Sequence, residues 1–180
     1  MKRKALIISI LLHTSLLIVV YVFQSEIFPY MRIGGLVPLL LPVAVTGVAL
    51  YEGKDTGGVV GLFAGILCDI SFNNPVGTFT VLLTLVGLCI GALSDTIVLR
   101  GFLMYYLFCT VVLIVCAFVQ MFPLMIYPLF IPAHVLIPTA IQQTMYSLLL
   151  ALPIWFPVRA LGNRADRMPP SRRPLKNRFN

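Results

Sequence analysis

The stretch GGVVGLFAGILCDI, residues 57–70, decides the fold class of this chain. Gly57, Gly61, Gly65 and Asp69 are spaced four residues apart, so in an α-helix they share one face. Small residues on such a face allow two helices to approach closely inside a membrane. The segment therefore predicts a tightly packed membrane helix that carries one ionisable group near its end.

The composition indicates a membrane protein. Hydrophobic residues make up 59% of the chain and charged residues only 11%, whereas soluble domains average about 25% charged residues. Several apolar runs approach the roughly 20 residues that cross a bilayer as a helix. They cannot all be buried in a soluble core, because too little polar sequence would remain to cover it. We predict one transmembrane helical domain, residues 1–158, and a basic, flexible cytoplasmic tail, residues 159–180.

The hydropathy pattern predicts an all-α polytopic protein with six transmembrane helices. The predicted spans are residues 5–23, 36–50, 57–70, 78–93, 102–122 and 137–157. Spans two to four are short, roughly 21 to 24 Å at 1.5 Å per residue, compared with a hydrocarbon core of about 30 Å. Either these helices extend into their loops or the bilayer thins around them. A re-entrant pair is the alternative, and it would leave four true spans.

The charge distribution predicts the orientation. With the N-terminus in the cytoplasm and six spans, twelve of the thirteen basic residues lie on the cytoplasmic side, and only Arg32 lies outside. This agrees with the positive-inside rule. We therefore expect a multi-pass protein of the bacterial inner membrane with both termini in the cytoplasm.

A second glycine pair repeats the first pattern. Gly87 and Gly91 precede Asp95 with the spacing that Gly61 and Gly65 have before Asp69. Five glycines are therefore predicted to form helix-packing or partner-binding surfaces: Gly57, Gly61, Gly65, Gly87 and Gly91. An inverted repeat is a further interpretation of this match.

Four polar residues inside the predicted spans are candidate functional groups. An ionisable residue such as Asp69 in a membrane span is a functional candidate by default, but it could instead cap or anchor the loop at residues 71–74. His13 could pair with a carboxylate, line a polar cavity, or only bond a neighbouring helix. Gln142 and Gln143 could bind a ligand or make interhelical hydrogen bonds.

The tail is a candidate contact for anionic lipid, at about 1 kcal/mol per basic residue near the membrane surface. Its basic residues are Arg159, Arg164, Arg167, Arg172, Arg173, Lys176 and Arg178. We predict no nucleic-acid binding, because no aromatic residues alternate with this charge. The sequence has no Walker A, HExxH or GxSxG motif, and its four cysteines lack metal-type spacing. We expect no enzyme activity, no cofactor and no metal.

The segment from Leu36 to Asp95 resembles the MreD family of rod shape-determining membrane proteins. The resemblance rests on Pro38 and Pro42, the glycine ladder that ends in Leu67-Cys68-Asp69, Pro75-Val76-Gly77, and Gly87 with Gly91. It implies a non-enzymatic scaffold of the cell-elongation machinery (elongasome). Such a scaffold binds the bitopic protein MreC and supports lateral peptidoglycan synthesis by RodA and a class B penicillin-binding protein.

The alternative function is a substrate-binding subunit of an energy-coupling-factor vitamin transporter. Those subunits (S-components) are also small, glycine-rich bundles of six spans, and the MreD family is distantly similar to them in fold. In that case His13, Asp69 and Gln142 or Gln143 would converge on a ligand from the outside.

Overall fold

The computed structural model describes residues 2–31, 37–72, 77–96, 101–126 and 133–166, and this part of the chain is helical without a strand. The all-α prediction is confirmed. The six α-helices are α1 (Lys2–Val22), α2 (Leu40–Glu52), α3 (Lys54–Phe72), α4 (Thr78–Thr96), α5 (Phe102–Ile126) and α6 (Ala133–Asp166). After α1 the chain continues through a π-helical turn, Phe23–Ile27, and a 3₁₀ turn, Phe28–Met31.

Two of the described helical segments are long and apolar enough to cross a membrane. They are Ile10–Ile27, which includes most of α1, and Phe102–Gln120 in α5. Leu40–Glu52 and Thr78–Ser94 are shorter apolar helices. The helices fit a membrane protein.

α2 lies at the centre of the bundle. It has 13 residues, or about 20 Å of length at 1.5 Å per residue, and all eleven residues from Leu40 to Leu50 are buried. The other five α-helices all contact it. Because protein surrounds α2, its shortness requires no thinning of the bilayer around it. Pro42 falls in its first turn, where a missing N–H costs little.

Side chains from distant parts of the sequence satisfy the backbone at both ends of α2. Gln24 Oε1 accepts hydrogen bonds from the N–H groups of Leu40 at 2.8 Å and Leu41 at 3.1 Å. At the other end Ser94 Oγ donates to the Leu50 carbonyl at 2.5 Å. Gly53 then ends the helix with φ of 86°, a conformation that glycine adopts without strain. These bonds reduce the cost of burying both helix ends.

The observed helices differ from the predicted spans mainly at their ends. α3 and α4 have 19 residues each, or about 28 Å, so both extend into the predicted loops. α6 continues to Asp166 and contains Pro153 and Pro157. The helix therefore runs past the predicted sixth span, residues 137–157, because prolines are tolerated inside membrane helices. The domain boundary at residue 158 stays a prediction.

Candidate functional site

The glycine stripes form the contact between α3 and α4. A Cβ atom added to Gly57 would lie 2.8 Å from the Gly87 carbonyl oxygen, and one added to Gly91 would lie 2.5 Å from Lys54 Cα. Cβ atoms added to Gly61 and Gly65 would overlap the α4 backbone. The two helices therefore approach backbone to backbone, which only glycine permits at these positions.

The order of these contacts shows that α3 and α4 are antiparallel. Gly57 meets residue 87, Gly61 meets residues 83 and 84, and Gly65 meets residues 79 and 80. All five predicted glycines are buried in this contact within one chain. A partner helix could reach them only if α3 and α4 separated.

Asp69 occupies the next position of the same stripe, where α4 begins. Its Oδ2 accepts hydrogen bonds from the backbone N–H groups of Gly77 at 2.9 Å and Thr80 at 3.1 Å, and from Thr80 Oγ1 at 2.6 Å. Its Oδ1 accepts from Phe79 N–H at 2.8 Å. The side chain is buried, with 7% exposure. Asp69 therefore caps the N-terminus of α4, where a negative charge also interacts favourably with the helix dipole.

The capping partners differ from those expected in the following loop. Ser71 Oγ donates to the Leu67 carbonyl at 3.0 Å, and residues 73 and 74 lie outside the described residues. Gly77 has φ of 101°, which lets the chain turn so that three N–H groups point at one carboxylate. The four-residue spacing puts Asp69 on the packing face, and the turn brings the donors to it.

A pocket of about 330 Å³ opens beside this cap. Ile66, Asp69, Ile70, Gly77 and Thr80 line it, and its walls are largely apolar. Because the carboxylate already accepts four hydrogen bonds, the pocket offers little polar chemistry to a ligand.

His13 lies on α1 and is buried where this helix packs against the end of α2. Its Nε2 lies 4.0 Å from Glu52 Oε1, and the two side chains are 2% and 3% exposed. Of the roles considered for His13, the structure shows a contact with a carboxylate that joins two helices. Glu52 was not singled out in the sequence, although its position just before Gly53 marks the end of a span.

The two glutamines of α6 have different surroundings. Gln143 is buried, and its Nε2 donates to the Val37 carbonyl at 3.0 Å. Gln142 is exposed. One turn further, Ser147 Oγ accepts from Leu39 N–H at 2.9 Å. The polar patch of α6 therefore fixes the chain that leads into α2.

The polar candidates do not share one site among the described residues. His13 contacts the last residue of α2, whereas Gln143 contacts the chain before its first residue. These ends are about 18 Å apart along the helix at 1.5 Å per residue. Asp69 makes its contacts with the start of α4. The structure therefore brings His13, Gln143 and Asp69 to three different helix junctions.

An aromatic cluster lies where α5 begins and the second half of α6 passes. The Trp155 ring is edge-on to Phe102 and to Phe156, with ring centroids 5.3 Å apart in each case. The guanidinium of Arg159 lies 4.5 Å from the Trp155 ring centroid. Tyr106 donates from its hydroxyl to the Leu148 carbonyl at 2.9 Å, which connects α5 to α6. Of the basic residues predicted to contact anionic lipid, Arg159 and Arg164 lie on α6. The others, from Arg167 to Arg178, lie outside the described residues.

Two structural residues were missed in the sequence. Gln24 is 2% exposed and Ser94 is 4% exposed. Each bonds a main-chain group of α2 that is 16 or more residues away. The only sequence signal for Gln24 is that it is a polar residue next to an apolar run. This signal does not indicate which group Gln24 bonds. Among the described residues no group of three or more His, Cys, Asp or Glu side chains could hold a metal ion, and the four cysteines are free thiols.

Comparison with known proteins identifies the family. No curated protein and no solved structure matches the chain. A family model described as rod shape-determining protein MreD matches residues 4–165 of the 180 residues. This match includes all five helix-packing glycines and Asp69, and it confirms the resemblance drawn from the glycine ladder. The chain therefore belongs to the MreD family of rod shape-determining proteins.

Proposed function

We propose that this protein is a non-enzymatic scaffold of the bacterial cell-elongation machinery. In this proposal it binds an MreC-like bitopic protein and supports lateral peptidoglycan synthesis by RodA and a class B penicillin-binding protein. The family match over residues 4–165 carries the proposal, because membership in the family supports a role in rod-shape determination and a place in the bacterial inner membrane.

The proposed topology has six spans with both termini in the cytoplasm. The lengths of α3 and α4, 19 residues each, support it, since about 28 Å is close to the thickness of the hydrocarbon core. The basic residues support the orientation, because twelve of thirteen lie on the cytoplasmic side in this arrangement.

The packing supports a protein that acts through helix surfaces. Asp69, His13 and Gln143 each contact another helix or the chain that leads into one, and the glycine stripes are buried between α3 and α4. What the described helices present outward is largely apolar. One exposed row on α5 consists of Leu103, Leu107, Val111, Ile114 and Phe118, and one on α6 consists of Ile137, Ile141, Met145, Leu149, Leu152 and Phe156. The spacing of three or four residues in each row suits contact with a further helix.

A partner helix is therefore expected on these outward rows and not on the glycines. The test is photo-crosslinking in cells, with a photoreactive amino acid at Val111 on α5 or at Met145 on α6. Both are exposed, by 52% and 68%. Leu113 is the matched control, since it lies on α5 beside Val111 but is fully buried. The expected result is a crosslink to the MreC-like protein from an outward position and none from Leu113.

Two outcomes would contradict the proposal. One is the absence of crosslinks at every outward position of α1, α3, α4, α5 and α6, combined with a failed co-purification. In that case the bitopic protein co-purifies with this chain no better than with an unrelated membrane protein. The other is normal rod shape in cells that lack the protein.

No observation favours the alternative of a vitamin-transporter subunit. That function needs polar side chains that converge on one ligand, whereas His13 and Gln143 contact opposite ends of α2. Binding of a vitamin-like molecule to the protein purified alone would restore this alternative.

A further inference from the structure

Arg159 presents a positive charge at a defined place on the bundle. Its side chain is exposed, yet its guanidinium lies 4.5 Å from the centroid of the Trp155 ring. Such a cation–π contact restricts a side chain that would otherwise have many conformations. The guanidinium keeps its edge N–H groups for another acceptor, and a phosphate accepts two of them side by side.

The surrounding residues place this charge at the membrane surface. Trp155 is residue 23 of α6, about 33 Å from its start at 1.5 Å per residue, which is just past a hydrocarbon core of about 30 Å. Phe102 is the first residue of α5 and packs edge-on against the same ring. Tryptophan and tyrosine are enriched at this level of a membrane protein, where one side of the ring meets acyl chains and the other meets headgroups.

Trp155 itself has an unsatisfied donor. Its Nε1 is closed off from solvent and has no hydrogen-bond partner among the residues that the structure describes. A buried indole N–H usually has an acceptor, but a lipid oxygen cannot reach an atom that is closed off from solvent, so this N–H is not part of a lipid contact. What this position offers to a ligand is an exposed cation that the Trp155 ring holds in place.

We propose that Arg159, positioned over Trp155 and beside Phe102, binds the phosphate of an anionic phospholipid in the leaflet at this end of the bundle. The proposal rests on the membrane placement given above and not on the identity of any protein partner. It differs from attraction by the basic tail as a whole, because it assigns the binding to one side chain on α6.

The chain offers a direct probe of this site, because Trp155 is its single tryptophan. Purified protein is reconstituted in phosphatidylcholine vesicles that contain brominated phosphatidylglycerol, or brominated phosphatidylcholine as the reference. Quenching of Trp155 fluorescence then gives the preference for the anionic lipid. We expect a preference of about five-fold, the factor for one basic side chain near an anionic surface.

The variants separate this site from general electrostatics. Arg159→Gln should abolish the preference, and Arg159→Lys, which keeps the charge, should keep most of it. Arg164→Gln removes an equal charge from α6 five residues further on and should change the preference less than two-fold. An excess of soluble inorganic phosphate at constant ionic strength should not reduce it. Thermal unfolding of each variant verifies that it is folded.

Several outcomes would overturn the proposal. They are no preference in the natural protein, equal losses in Arg159→Gln and Arg164→Gln, an equal loss in Arg159→Lys, or displacement by soluble phosphate. If brominated phosphatidylcholine also fails to quench, the membrane placement fails with it. If brominated phosphatidylcholine quenches and brominated phosphatidylglycerol quenches no more strongly, only the phosphate site fails. The proposed scaffold function is then unaffected.

Discussion

Replacement of Asp69 by asparagine tests whether this residue is a helix cap or a functional group. The carboxylate accepts four hydrogen bonds, divided between two oxygens. Asparagine has only one acceptor oxygen, so its NH₂ group would face at least one donor. If the NH₂ group takes the place of Oδ1, the Phe79 N–H loses its carboxylate acceptor, and Phe79 is fully buried.

The magnitude follows from these contacts. An unsatisfied buried donor costs about 1–3 kcal/mol, and loss of the negative charge at the start of α4 costs about 0.3–1 kcal/mol more. Asparagine also avoids the cost of placing a charge in the membrane, about 2.5–3.5 kcal/mol at the bilayer centre but less near the end of a helix. We therefore expect Asp69→Asn to lower the free energy of unfolding by roughly 1–3 kcal/mol.

The protein carries its own reporters for this assay. Cys68, Cys109 and Cys116 are buried and Cys89 is exposed, so in a Cys89→Ala background a thiol-reactive dye labels only unfolded molecules. Labelling is followed as the fraction of sodium dodecyl sulfate in mixed micelles increases. Ser71→Ala, an exposed change on the same helix end, is the matched control and should shift stability by less than about 0.5 kcal/mol.

The result that would refute the capping role is equally definite. If Asp69→Asn is as stable as the natural protein but no longer supports rod shape, the carboxylate is needed for function and not for the fold. If both stability and rod shape are unchanged, neither interpretation of Asp69 stands.

Three further changes test the packing. Gly61→Ala should destabilise the protein by about 1–3 kcal/mol, because its Cβ meets the α4 backbone. In the matched control Gly58→Ala, the new Cβ meets only the flexible side chain of Leu88, so this change should be neutral or stabilise by up to about 1 kcal/mol. Equal destabilisation by Gly61→Ala and Gly58→Ala in the micelle assay would contradict this account. Gln24→Ala should cost about 1–3 kcal/mol and speed hydrogen exchange at the start of α2, because two N–H groups lose their acceptor, and unchanged protection there would count against it. His13→Ala and Glu52→Ala should couple by at least about 0.5 kcal/mol in a double-mutant cycle, whereas additive effects would mean that the pair does not interact.

Local sequence pattern was sufficient to predict the helices and one packing face. Apolar runs mark helix positions because a membrane helix must satisfy its backbone internally. The four-residue spacing of Gly57, Gly61, Gly65 and Asp69 puts them on one face whatever lies opposite. The ends were predicted less well, since Pro157 sits inside α6 where a helix end was expected.

The partners of these faces depended on the tertiary structure. Nothing in the spacing says that Gly57 meets Gly87, or that Gln24 bonds the start of α2 while Ser147 holds the residue before it. These contacts join residues between 16 and 108 positions apart. Their pairing depends on how six helices pack together.

The amino-acid sequence alone therefore determined that this chain is a helical membrane protein with a glycine face that ends in an acid. Helical periodicity and the absence of water in a bilayer are local constraints, and they act on each segment separately. Only the folded chain decided that Asp69 caps α4, that α2 is enclosed by the other helices, and that Arg159 lies over Trp155. Each of those features needs two segments to meet, and their meeting is set by the packing of the whole bundle.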